Sequence, residues 1–214
     1  MSAMTVYEAA LRHGSGTLVN QHGHAQTLPI ALWSGEAGTA DNALLDRCTG
    51  PTLDVGCGPG RMTAALTARG VPALGIDISA LAVRMTTDRG GLALQRSIFH
   101  ELPGAGRWQH VLLADGNVGI DGDPVHLLRR CRELLTAGGT ILLDVGEPGS
   151  GLLVEKVRLE QAGRTSDWFR WCWVGTDVLA ELALRAGLVV QQVWAVDGRW
   201  QGQLGISTAS QDPT

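Results

Sequence analysis

The chain has 214 residues, 44% of them hydrophobic and 18% charged, with a formal net charge of -4. That length suits one domain with a sheet covered on both faces, and the composition lies far from that of disordered chains. The acidic balance and the lack of any Lys/Arg-rich window argue against nucleic acid and anionic membrane as partners.

Cys48, Cys57, Cys131 and Cys172 are scattered, with no CxxC or CxxH spacing, so neither a zinc site nor a disulfide framework is expected. A reducing, cytoplasmic setting is the expectation. Tyr7, Glu8, Arg12 and His13 interrupt any apolar leader, and no apolar run reaches the ~20 residues that cross a bilayer.

Residues 1–40 are rich in Gly, Ser, Thr, His and Asn and read as an arm or lid, with a helix over 5–12. From 41 to 209 the pattern reads as one domain. A short helix over 41–48 ends at Gly50-Pro51. A strand over 52–55, a helix over 59–69 stopped by Gly70, a strand over 73–78, a helix over 81–89 and a strand over 92–95 follow. Next come a strand over 110–114, a helix over 124–135, the Gly138-Gly139 punctuation and a strand over 140–145. This alternation predicts an α/β fold with a doubly wound, mostly parallel sheet.

The last third changes character. Residues 152–159 fit strand or helix, the run WFRWCWVG at 168–175 reads as an aromatic strand, and 177–186 as a helix stopped by Gly187. Strands over 188–196 and 200–207, joined by Asp197-Gly198, read as a C-terminal antiparallel hairpin at one sheet edge, and 210–214 as a loose tail.

The stretch LDVGCGPGR at 53–61 runs from the first strand of the alternation into its helix, where open α/β sheets bind ligands. Its glycines give GxGxG. The GxGxxG of dinucleotide sites would place a small residue where Arg61 stands, and Asp54 just before the loop suits a positive amino group better than a pyrophosphate. Asp77 closes the next strand about 20 residues on, where a carboxylate accepts ribose hydroxyls.

LDVGCGPGR followed by GIDIS resembles the class I S-adenosylmethionine-dependent methyltransferases, whose doubly wound Rossmann-like fold matches the predicted elements. The strings LLADGN at 112–117, GDP at 122–124 and GRW at 198–200 are similar to those of small bacterial enzymes of small-molecule and secondary metabolism. The resemblance implies S-adenosylmethionine as cofactor and a small-molecule acceptor. It implies methionine-side contacts from Asp54, Gly56, Gly58 and Gly60, and ribose and adenine contacts from Asp77 and Ile78. Arg61 would orient the loop or the cofactor carboxylate, and Ser97-Ile98 stand where many relatives carry an adenine-binding acid. Asp115, Gly116 and Asn117 fall where cofactor and acceptor meet. Cys57 lies inside the loop and reads as packing, not as a nucleophile.

A sulfonium methyl is already activated, so the expected chemistry is alignment of a nucleophile, exclusion of water and, for a hydroxyl or amine, removal of a proton; no metal is needed. Candidate bases are Asp115, His22, His24 and His100, against the plainer readings of a turn-capping carboxylate and exposed polar loops. Seven tryptophans are many for this length, and Trp33, Trp168 and Trp171 are the candidates to line an acceptor pocket, the plainer reading being core packing. Non-methyl use of the cofactor, a non-catalytic regulatory role and a nicotinamide oxidoreductase are the competing readings. The chain is expected as a monomer or homodimer.

Overall fold

The computed structural model describes residues 1–206. Helix α1 (Ala3–His13) starts at Ser2, whose hydroxyl accepts from the Thr5 amide, and ends at left-handed Gly14. An antiparallel pair, β1 (Thr17–Asn20) and β2 (Ala25–Thr27), leads to α2 (Ile30–Trp33) and α3 (Thr39–Leu45). Asp41 closes the first turn of α3 by accepting from the Gly38 amide at 2.9 Å.

The alternating core follows as β3 (Thr52–Val55), α4 (Arg61–Ala68), β4 (Ala73–Asp77), α5 (Ala80–Asp88), β5 (Ala93–Gln95) and β6 (Trp108–Leu113). Helix α4 begins two residues later than its sequence pattern suggests, because Gly60 is left-handed at φ 89° and stands as its N-cap. A 3-10 segment (Asn117–Gly122), α6 (Pro124–Leu134) and β7 (Leu135–Val145) come next. Strand β7 runs through Gly138-Gly139 instead of starting after them, with the extra residues absorbed by a register shift against β6. The ambiguous segment is strand β8 (Leu152–Gln161), followed by β9 (Arg164–Thr165), β10 (Phe169–Val174), α7 (Thr176–Arg185), β11 (Leu188–Val196) and β12 (Arg199–Ile206). The expected tail at 210–214, and Ser207 at the end of the expected last strand, lie outside the described residues.

Seven strands form one sheet in the order β11-β12-β7-β6-β3-β4-β5. Parallel pairing joins β7, β6, β3, β4 and β5, while β12 is antiparallel to both β7 and β11. The hairpin is therefore folded so that its second strand lies inside the sheet and its first strand makes the edge. Asp197 and Gly198 both adopt positive φ, as a two-residue turn between twisted strands requires.

Side-chain alternation divides the core between the two faces. Val111 and Leu113 of β6, with Ile141 and Leu143 of β7, pack toward Leu127, Leu128 and Leu134 of α6 and Leu179 and Leu182 of α7. Leu112 and Leu142 point the other way, against Leu44, Leu45, Met62 and Leu66 of α3 and α4. Both faces are covered, so the central strands are continuously apolar.

A second, antiparallel sheet takes strands from both ends of the chain, in the order β10-β8-β1-β2 with β9 on β8. The first 40 residues thus contribute two strands to a sheet completed by residues 152–174, and β1 pairs with β8 from Thr17↔Glu160 to Asn20↔Val157. Among the described residues, no helix is long and apolar enough to cross a membrane.

Leu113 is fully buried where β6 meets α6. Leu113→Ala is expected to lower the unfolding free energy by roughly 2–5 kcal/mol, measured by urea denaturation at unchanged m-value.

Candidate active site

The glycine loop leaves β3 at Val55. Gly56 has φ 69°, and a Cβ there would lie 2.8 Å from the Asn117 amide nitrogen. Asn117 uses that nitrogen to donate to the Val55 and Gly56 carbonyls at 2.9 and 3.0 Å, tying the loop after β6 to the loop after β3. At Gly60 a Cβ would come within 2.6 Å of Thr86 on α5. The glycines are demanded by close approach as well as by left-handed backbone.

Asp54 lies beneath this loop, fully buried, and accepts from the Thr63 hydroxyl at 2.6 Å. Burial pushes its carboxyl up to about 6, against the Thr63 hydrogen bond that favours the ionised form. Asp77, at the end of β4, accepts from the Gly58 amide at 3.0 Å and the Ser79 amide at 2.8 Å. Burial raises its pKa, opposed by those amides. The exposed side chain of Ile78 and the buried one of Ile98 stand close by, with Ser97 between strand and loop.

Five charged side chains meet beside the loop. Arg61, 3% exposed, pairs with Asp41 and, through Nη2, with Asp115 at 2.5 Å. Arg199 reaches Asp41 at 2.7 Å, Asp115 at 3.2 Å and Asp144 at 2.5 Å. Asp144 also accepts from the Asp115 amide at 2.7 Å, which fixes Asp115 in its left-handed conformation at φ 54°. Burial raises the pKa of Asp115, while Arg61 and Arg199 oppose the rise. Arg61 keeps one buried donor, Nε, without a partner among the described residues.

A cavity of about 660 Å³ opens above these groups, between the ends of the parallel strands and the antiparallel sheet. Asp54, Gly56, Cys57, Gly58, Arg61, Asp77, Ile78, Ser97, Ile98, Asp115 and Asn117 line it, together with Trp33 and Trp171. Gly60 and Gly116 shape the turns at its floor without lining it. Cys57 is buried, its thiol pKa pushed far up by that burial, in keeping with a packing role.

Four candidates lie elsewhere. His22 and His24 are exposed on the short turn between β1 and β2, His22 standing 3.9 Å from Glu155. Neither histidine lines the cavity. His100 is exposed in the loop after β5, whose backbone is held by Arg130. Trp168 is 46% exposed beneath the Arg158 guanidinium and immediately precedes β10.

The cavity also contains Tyr7 from α1, which pattern reading passed over, and Phe169 and Trp173, members of the aromatic run at 168–175 that share one face of β10 with Trp171. The i, i+2 spacing of these three rings was the available signal. Arg199 was visible within GRW and Asp41 at the start of the helix over 41–48, but nothing in their spacing pairs residues 158 positions apart.

Residues 52–139 match the family model described as a methyltransferase domain. No curated protein sequence matches the chain. Solved structures share the fold. An S-adenosylmethionine-dependent methyltransferase from Bacteroides fragilis, in complex with S-adenosyl-L-homocysteine, has 21% identity and a TM-score of 0.79 over 96% of this chain and 94% of that one. The 1,6-didemethyltoxoflavin-N1-methyltransferase of Burkholderia thailandensis, with 1,6-didemethyltoxoflavin and S-adenosylhomocysteine bound, has 18% identity and a TM-score of 0.66 over 95% and 87%. The CcbJ methyltransferase from Streptomyces caelestis has 16% identity and a TM-score of 0.62 over 83% and 92%. The segment that matches the family model carries the glycine loop, Asp77 and Asp115; Arg199, Tyr7 and the aromatic strand lie outside it.

Two outcomes follow from these charges. A carboxyl whose folded-state pKa is about 6 binds its proton more tightly folded than unfolded, so its contribution to stability is present at low pH and is lost as pH rises from about 4 through 6. Asp54→Asn is therefore expected to gain stability relative to the wild type between pH 4 and 7, by up to about 3 kcal/mol, read by denaturant titration at each pH. Arg199→Met removes the counter-ion of Asp144 and one of two each from Asp41 and Asp115, and is expected to cost about 3–5 kcal/mol in the same assay at pH 7.

Proposed function

We propose that the protein transfers the methyl group of S-adenosylmethionine to a small, planar, largely apolar acceptor held between the parallel sheet and the antiparallel flap. The carrying observation is that one cavity joins the glycine loop, Asp77 and Arg61 to the aromatic face of β10 and Trp33. Its volume falls in the range of cofactor and ligand pockets.

The residues present suit the cofactor. The buried, unpartnered Nε of Arg61 is a donor for the cofactor carboxylate, and Asp115 and Asp54 supply negative potential for its ammonium. Asp77 retains lone pairs for the ribose hydroxyls after accepting two amides, and Ile78, Ser97 and Ile98 flank the adenine. When bound, S-adenosylmethionine supplies an activated methyl group on a sulfonium. The chain orients, shields and aligns: the flap excludes water and the aromatic rings hold a flat acceptor for in-line attack. Asp115, held between two guanidiniums, acts as a fixed charge of the cofactor site and not as a free base.

Residues 1–40 serve as a lid on the domain that begins at residue 41. The 1,6-didemethyltoxoflavin bound by the Burkholderia thailandensis protein supports a small-molecule acceptor here. The acidic net charge supports a reading without nucleic acid, and the free cysteines a cytoplasmic setting, as monomer or homodimer.

Isothermal titration tests the reading. S-adenosylmethionine is expected to bind the wild type, NAD to give no heat, and Asp77→Ala to weaken binding about 10- to 100-fold through loss of charged hydrogen bonds. A folded wild-type protein that ignores S-adenosylmethionine would refute it.

A further inference from the structure

The loop after β5 brings Ser97, Ile98 and Phe99 to the cavity wall. Inside the loop, the Phe99 amide donates to the Ser97 hydroxyl at 3.3 Å and the His100 amide to the Ser97 carbonyl at 3.1 Å. The carbonyls of Ile98 and His100 are bonded to α6 instead. Arg130 meets both, donating through Nε to Ile98 at 2.9 Å and through Nη2 to His100 at 2.8 Å. Phe99, which stands between those two residues, stacks its ring on His126, with centroids 4.7 Å apart and planes at 10°.

His126 and Arg130 are one turn apart on α6, so one helix face makes all three contacts. A guanidinium carries its donors in a fixed planar fork and can span two carbonyls; the ammonium of a lysine is a point charge on a flexible stem. Both bonds are charge-assisted, which makes them stronger than bonds between neutral groups. The remaining contact of Arg130, from Nη1 to the exposed Glu133 at 2.9 Å, is an i,i+3 surface pair of little worth.

Helix α6 is itself set relative to the glycine loop. Asp123 caps it by accepting from the His126 amide at 3.0 Å, and Pro124 opens its first turn. The 3-10 segment leading into it begins at Asn117, which donates to the Val55 and Gly56 carbonyls. One continuous stretch of chain, 117–134, therefore grips the glycine loop at its start and the loop after β5 further along. On the cofactor reading given under Proposed function, on which this inference rests, those two loops hold the methionine end and the base of one ligand.

We propose that Arg130, assisted by His126, is a positioning residue for the base of S-adenosylmethionine. Neither side chain lines the cavity. They act through the loop at 97–100, holding Ser97 and Ile98 in place before the base docks, so that less ordering entropy is lost on binding. The effect falls on affinity for the base and leaves the methionine end untouched.

The test compares a ligand that carries the base with one that lacks it. S-adenosylhomocysteine is measured by isothermal titration, and S-ribosylhomocysteine by its displacement of S-adenosylhomocysteine, on wild type, Arg130→Met, Arg130→Lys, His126→Ala and Glu133→Gln. The advantage of the first ligand over the second reads what the base adds, and a general loss of stability does not move it. That advantage is expected to fall about three- to tenfold in Arg130→Met, with S-ribosylhomocysteine affinity nearly unchanged. Arg130→Lys is expected to recover only part of it, His126→Ala to lose about twofold, and Glu133→Gln to match wild type. Equal weakening of both ligands, or an unchanged advantage in Arg130→Met, would overturn the proposal. If that variant fails to fold, an unchanged advantage in Arg130→Lys and His126→Ala overturns it in the same way. A wild type that binds both ligands equally would overturn this inference alone, whereas one that binds neither would overturn the cofactor reading as well.

Discussion

Five buried or half-buried charges, Asp41, Arg61, Asp115, Asp144 and Arg199, hold the site together. Removing such groups from water is costly, and the cost is offset only when each finds partners in good geometry. Three carboxylates around two guanidiniums achieve that, and the five residues come from α3, α4, the loop after β6, the end of β7 and the start of β12. The ion network therefore ties the last strand of the parallel sheet to the glycine loop. It also makes the position of β12 inside the sheet a condition of the site, since an edge hairpin with its order reversed would leave Arg199 away from Asp144.

The antiparallel flap imposes the second constraint. Residues from near the N-terminus and from 152–174 pair as neighbours, and their sheet roofs the carboxyl ends of the parallel strands. Two halves of a cavity with unlike chemistry result. One is polar and built from backbone turns and acids; the other is aromatic and built from one face of β10.

Legibility in the sequence followed locality. The glycine loop, Asp77 and the alternation of strands and helices were readable because each rests on spacings of a few residues: a turn that needs left-handed backbone, an acid at a strand end, apolar runs at a period of two. Asn117 was placed near the cofactor by its string, but its actual task, donating to two carbonyls of the glycine loop, depends on residues 61 and 62 positions away. The histidines were attractive as chemistry and uninformative as geometry, because residue type says nothing about the direction in which a hairpin tip projects.

The sequence by itself determined the fold class, the glycine loop and the carboxylate at the end of β4, since these arise from short-range sterics and hydrogen bonding. Only the tertiary structure decided that the first 40 residues complete a sheet with residues 152–174 and that Asp115 is clamped by two arginines. Those facts depend on which distant segments meet. Strand pairing and ion pairing are indifferent to sequence separation, so no local pattern records them.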